Sequence, residues 1–228
     1  MENELYHIVN RGVDKRHVFM DEEDYFRFVH DLYEFNDVNN ANTNNHMFHK
    51  LNWDIGCPNI RKRRKKRECL VKIHAFALMP NHYHLFLSPL VENGVAKFMK
   101  KVNMGYSKYF NEKNTRKGAL WQGKYKSVPV TGDGHFLYLP YYIHFNPLDL
   151  VAPEWRKRNI PDKEKAKEFL KTYRWSSHLD YLGQKNFPSV TDRSFLLKCF
   201  GGTEGYKKSF ENEVKNFSME NVGGIMLE

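Results

Sequence analysis

Leu70-Val71-Lys72-Ile73-His74-Ala75-Phe76-Ala77-Leu78-Met79-Pro80-Asn81-His82-Tyr83-His84-Leu85-Phe86-Leu87-Ser88 is the stretch on which the fold turns. Two apolar runs flank Met79-Pro80-Asn81, a tripeptide suited to a tight turn, which predicts an antiparallel hairpin with strands over Leu70 to Leu78 and His82 to Ser88. Alternation sends Tyr83, Leu85 and Leu87 to one face, under helices. His82, His84 and Phe86 go to the other, opposite the small Ala75 and Ala77. Two imidazoles one residue apart on one strand face can hold one metal ion.

Outward from the hairpin, Leu5 to Asn10 reads as a first strand ended by Arg11-Gly12. Asp21 to Val38 reads as a helix with acidic residues in its first turn and Tyr25, Phe28, Val29 and Leu32 along one side. From 39 to 68 the pattern breaks into Asn-rich sequence and then seven consecutive basic residues, Arg61 to Arg67. Like charges so dense repel one another, and the stretch is read as an inserted, solvated loop with nucleic-acid contact as its functional reading. Beyond the hairpin, Glu92 to Asn111 is expected to be helical and Ala119 to Val130 a further strand. Asp133 to Asn146 is expected to be a helix stopped by Pro147, either kinked at Pro140 or starting afresh there, because an interior proline removes a backbone hydrogen bond. Short apolar helices are expected around Phe195 to Phe200 and Tyr206 to Val214. No internal repeat is present.

The chain has 228 residues, enough for one well-buried core with length to spare. Its 36 Lys+Arg against 27 Asp+Glu give a net charge of +9, which favours an anionic partner. Aromatic residues make up 15% of the chain and are interleaved with cations at Tyr106-Ser107-Lys108-Tyr109-Phe110 and Trp121-Gln122-Gly123-Lys124-Tyr125-Lys126, a pattern suited to base stacking beside phosphate pairing. The three cysteines, Cys57, Cys69 and Cys199, form neither a disulfide framework nor a Cys-x-x-Cys site, which points to a reducing compartment. No apolar run reaches membrane-span length, and Met1-Glu2-Asn3-Glu4 lacks the basic start of a signal peptide, so a cytoplasmic location is expected.

Tyr142 and Asn146, in Tyr142-Ile143-His144-Phe145-Asn146-Pro147, stand four residues apart and share a helix face. His82, His84 and Asn146 together offer two nitrogens and one amide oxygen. That set suits Mn²⁺ or Mg²⁺ with open positions for phosphate oxygens better than a closed zinc site. Tyrosine is a suitable nucleophile where a broken phosphodiester must later be resealed, because the phosphotyrosine ester keeps the bond energy. With a phenol pKa of about 10, the phosphate must be polarised and aligned for it. His74, His135 and His144 are other possible ligands. They rank lower, His74 because alternation puts it on the opposite sheet face from His82 and His84, and His144 because it points away from Tyr142 on the helix. Taken singly, a His-x-His pair is usually a surface or satisfied core pair and a buried tyrosine is usually a packing residue.

Taken together, these residues resemble the single-tyrosine transposases of the His-hydrophobic-His superfamily, in particular the REP-associated tyrosine transposases. The resemblance runs in order over residues 5 to 200: Val9-Asn10-Arg11-Gly12 with Val18-Phe19 and Asp24-Tyr25; Ala77-Leu78-Met79-Pro80-Asn81-His82-Tyr83-His84-Leu85; Gly118 to Ser127; Tyr142 to Pro147; and Tyr173-Arg174-Trp175-Ser176-Ser177. The resemblance implies His82 and His84 as paired metal ligands, Asn146 completing the set, and Tyr142 as nucleophile. It also implies a ferredoxin-like or RRM-like α+β fold, an antiparallel sheet with helices on one face and the catalytic helix near the other. The catalytic domain would span 1–183, with 184–228 as a helical appendage. Members act on single-stranded or hairpin DNA with a divalent cation, as monomers or homodimers. Arg11, Lys15, Arg16, Lys124 and Lys126 are the candidate backbone contacts, with Trp121 and Tyr125, read first as core or sheet-surface aromatics, as candidate stacking residues; Lys100, Lys101, Lys108, Arg116 and Lys117 are weaker candidates. A non-catalytic relative that only binds hairpins is the alternative. The chain departs from the pattern in its long insertion, in Tyr83 at the middle position between the histidines, and in Pro140.

Overall fold

The computed structural model describes residues 4–39, 67–157 and 159–215, with side chains for all of these except 133–135. The Asn-rich and basic stretch at 40–66 and the side chain of His135 lie outside the described residues.

Four strands form one sheet: β1 (Tyr6–Arg11), β2 (Val71–Met79), β3 (His82–Pro89) and β4 (Lys126–Pro129), in the spatial order β2-β3-β1-β4. Every neighbouring pair is antiparallel. Helix α1 (Glu22–Glu34) connects β1 to β2, and α2 (Gly94–Lys113) connects β3 to β4. Each crossover therefore joins parallel strands separated by one antiparallel neighbour, which is the ferredoxin-like arrangement that the resemblance implies.

The hairpin obeys its alternation. Tyr83, Leu85 and Leu87 join Ile8, Phe76 and Leu78 in a core with Phe28, Val29 and Leu32 of α1 and Phe98, Met99, Val102 and Tyr106 of α2. Each such fully buried apolar side chain contributes roughly 1.5–3 kcal/mol relative to exposure. On the opposite face Ala75, Ala77 and Phe86 pack against Leu139, Tyr142 and Ile143 of α3 (Asp133–Phe145). That second core extends well beyond α3. Helices α4 (Lys163–Thr172), α5 (His178–Tyr181), α6 (Ser194–Phe200) and α7 (Gly202–Lys215) complete it, with Leu170, Tyr181, Leu196 and Tyr206 buried.

Two features orient the hairpin relative to β1. The turn carbonyls accept from the chain after β1, Gly12 N to Asn81 O at 2.8 Å and Val18 N to Pro80 O at 2.8 Å. Only glycine fits at position 12, since a Cβ there would sit 2.4 Å from the Arg16 carbonyl oxygen.

Helix α1 is capped by Asp21, whose carboxylate accepts from Asp24 N at 3.1 Å. Asp24 is fully buried and accepts from Met20 N at 2.7 Å, Tyr109 Oη at 3.0 Å and Lys113 Nζ at 2.8 Å, joining α1 to α2. Asp24→Asn keeps the volume but removes the charge, and should cost about 1.5–3 kcal/mol of stability, read from urea denaturation. No change in the midpoint would show that this junction is dispensable.

Two expectations need correction. The strand predicted over Ala119 to Val130 is confined to Lys126–Pro129, preceded by a single bridge between Trp121 and Gly12. Gly118 (φ 93°) and Gly123 (φ 151°) turn the chain there in ways an extended ladder does not allow. His74 does not lie on the opposite face from His84, because the register shifts between Ile73 and Ala75. This bulge reverses the alternation, so the His74 ring meets Phe86 at 5.3 Å and bonds Ser88 Oγ at 2.8 Å. Trp121 is 7% exposed and packs against Tyr83 and Tyr106, with Nε1 donating to Asn103 O at 3.3 Å. Its ring packs in the first core, the role read first for it from the sequence. Helix α3 runs unbroken through Pro140.

Candidate active site

The site lies between the sheet face that carries the histidine pair and helix α3. β3 presents His82 (4% exposed) and His84 (0% exposed) with ring centroids 5.0 Å apart. Each ring is held through Nδ1. His82 Nδ1 lies 2.6 Å from Asn81 Oδ1, and the amide nitrogen of Asn81 donates to Lys15 O at 3.3 Å, which turns the amide oxygen toward the imidazole. An oxygen acceptor requires the proton on His82 Nδ1 and leaves the lone pair on Nε2. His84 Nδ1 lies 3.0 Å from Nε2 of His7 on β1.

Helix α3 brings Tyr142 to the same place. Its ring stands edge-on to both His84 and His7, at 5.8 Å between centroids in each case. Tyr142 thus lies beside His84, one of the histidine pair, within the same chain. Asn146, one turn further on, is fully buried; its Nδ2 donates to Tyr142 O at 2.8 Å and its Oδ1 accepts from Arg156 Nη2 at 2.9 Å. His144 faces away as expected, bonded to Tyr206 Oη at 2.7 Å and Ser177 Oγ at 2.8 Å in the second core. Burial holds its pKa well below the ordinary histidine value, so it is neutral.

Two residues that sequence reasoning missed belong to this site. His7 sits on β1 beside His84. Arg156, in the 3-10 turn Pro153–Lys157, reaches Tyr142 Oη at 3.4 Å and Asn146 Oδ1 at 2.9 Å while held by Asp149 at 2.7 and 2.8 Å. A permanent positive charge is thereby set beside the phenol oxygen. The period-2 row His7, Val9, Arg11 would have flagged His7; nothing in the local sequence singled out Arg156.

The basic candidates divide. Arg11 pairs in register with His82, and Lys126 with Val9, which in turn pairs with His84. Arg11, Lys124 and Lys126 line a cleft of about 190 Å³ with Gln122 and Val9, adjoining the histidine pair along the sheet. Tyr125 is half-buried at the rim of the first core and Lys124 Nζ lies 5.9 Å from its ring. Lys15 and Arg16 lie beyond β1, Arg16 donating to Val13 O at 3.2 Å. Neither lines that cleft.

The donor set fits a hard divalent cation that leaves positions for phosphate. Among the described residues no group of three or more His, Cys, Asp or Glu side chains is placed to hold a metal ion. His82 and His84 offer two imidazoles, and the Asn146 amide oxygen, here bonded to Arg156, is of a type that could serve as a third donor to such a cation.

Residues 57–146 match the model of a family described as IS200-like transposases, a stretch that contains His82, His84, Tyr142 and Asn146. A solved structure of a REP-associated tyrosine transposase bound to a REP hairpin is similar at a TM-score of 0.46 and 14% identity, over 83% of this chain and 88% of that one. No curated protein matches the chain. No helix among the described residues is long and apolar enough to cross a membrane.

Proposed function

We propose that this chain, which carries the IS200-like transposase pattern over residues 57–146, nicks and rejoins structured single-stranded DNA through Tyr142. The observation that supports this reading best is the approach of the Tyr142 ring to His84, 5.8 Å between centroids, from an element almost sixty residues away. Packing alone does not call for a tyrosine between two buried histidines.

The Tyr142 oxygen attacks phosphorus, forming a phosphorus–tyrosine bond and breaking the bond to the 3′ oxygen, which takes up a proton as the phenol loses one. A 5′-phosphotyrosine and a free 3′-OH result. Attack by another 3′-OH reverses the step and transfers the strand. His82 and His84 would hold Mg²⁺ or Mn²⁺, with Asn146 completing the set by exchanging Arg156 for the cation. When bound, that cation polarises the scissile phosphate oxygens and fixes the in-line geometry. Arg11, Lys124 and Lys126 carry the flanking backbone along the sheet toward the histidine pair, each adding a salt-sensitive, sequence-blind contribution.

Wild-type protein mixed with a labelled hairpin oligonucleotide and Mn²⁺ should give a covalent protein–DNA band on a denaturing gel, lost with EDTA. Binding without any adduct would instead favour the second reading, a hairpin-binding relative without catalysis. One observation speaks for that alternative: Tyr142 is 2% exposed and packed against Trp155, so the site must open to admit a strand. Under the enzyme reading, His82→Ala reduces nicking roughly a hundredfold and leaves hairpin affinity within about twofold, because the cation and not the basic cleft is lost.

A further inference from the structure

We propose that His7 is a positioning residue that fixes the tautomer and ring plane of His84, so that Nε2 of His84 is the atom presented to a metal ion. The inference rests on the metal-dependent reading above.

His7 and His84 are buried at 1% and 0% exposure, with rings nearly parallel (23°) and Nε2 of one 3.0 Å from Nδ1 of the other. One proton lies between those two nitrogens. If His7 donates it, His84 must carry its own proton on Nε2 and has no lone pair there. If His84 donates it from Nδ1, Nε2 keeps its lone pair and His7 carries its proton on Nδ1. The second arrangement matches the neighbouring ligand. His82 has its Nδ1 tied to Asn81 Oδ1 at 2.6 Å, an acceptor that requires the same tautomer. Asn81 and His7 thus do the same work for the two imidazoles from opposite sides, one from the hairpin turn and one from β1. Solvent cannot substitute at His7, since the pair is enclosed by the sheet and by Tyr142, 5.8 Å from both rings. Orienting partners of this kind typically change metal affinity 10- to 100-fold when removed.

The test uses two variants and two readouts at pH 7.5. His7→Phe keeps a ring but offers no acceptor; His7→Gln keeps an amide oxygen near the position of Nε2. In metal-free protein with ¹⁵N-labelled histidine, two-bond nitrogen–proton correlations should show His84 protonated on Nδ1 in wild type and in His7→Gln, and on Nε2 in His7→Phe. Titration with Mn²⁺ followed by its EPR signal should give affinity about 10- to 100-fold weaker for His7→Phe and within about threefold of wild type for His7→Gln. Wild-type His84 protonated on Nε2, or an unchanged tautomer in His7→Phe, would overturn the inference. Wild type with the expected tautomer but no Mn²⁺ binding would leave the role of His7 standing and remove the metal-dependent reading instead.

Discussion

Tyr142→Phe protein incubated with a labelled hairpin oligonucleotide and Mn²⁺ is expected to give no covalent adduct, a loss of about 10⁴-fold or more, equivalent to about 5.5 kcal/mol of barrier. The substitution removes one oxygen. The ring keeps its edge contacts to His7 and His84 at 5.8 Å and its contact with Trp155 at 5.8 Å, so the second core is preserved. Arg156 donates to the hydroxyl at 3.4 Å, a long bond whose loss costs little. Arg156 also retains Asp149 and Asn146. Loss of adduct with intact hairpin binding and an unchanged melting temperature therefore isolates the nucleophile. Adduct at wild-type yield would remove Tyr142 from that role.

The second large effect concerns acid. His178 and His74 are buried, and desolvation lowers their pKa values to about 3 and about 4, in the case of His74 against a smaller opposing pull from Asp192. In the unfolded chain both return to about 6.5. The unfolded state therefore binds protons first as pH falls. Stability is complete above about pH 6.5, declines through the window down to about pH 4 and pH 3, and levels off below it. At pH 5 each group costs about 2 kcal/mol, and the two together about 4, a large share of a typical domain's 5–15 kcal/mol. Urea denaturation at pH 7.5, 6 and 5 should show this decline, with the slope reduced by about one proton in His178→Gln. A flat profile between pH 7 and 5 would contradict the neutral, buried state of both rings. His178 shares Tyr206 Oη with His144, at 2.9 and 2.7 Å, so the acid-labile contact ties α5 to α7 through the same hydroxyl that α7 presents to the helix bearing Tyr142.

Strand alternation was the most legible property of the chain. The assignment of Tyr83, Leu85 and Leu87 to one core and of His82, His84 and Phe86 to the other face follows from period 2 and is what the structure has. The same logic failed at His74, because one bulge residue reverses parity without leaving a mark in hydrophobicity. It failed again before β4, where glycines at positive φ interrupt an otherwise strand-like run. At the site, residues from the family-like motifs were recognisable because each motif is local. His7 and Arg156 were not, since their meaning arises from what folds against them. A lone histidine in a strand and an arginine beside a tryptophan are ordinary in any sequence. Trp121, an aromatic among cations, was read as a core or sheet-surface aromatic ahead of a stacking residue, and it packs in the first core.

The outer edge of β2 is not left bare. Leu78 N donates to Trp175 O at 2.9 Å, Ser177 N donates to Phe76 O at 3.0 Å, and Ala77 bridges Ser176, so Trp175–Ser177 lies along the strand like a short splint. Where a recombinant version is ended is therefore constrained. A truncation before Tyr173 would strip the splint and leave backbone amides and carbonyls of an apolar strand open to any other chain, the usual route to inclusion bodies.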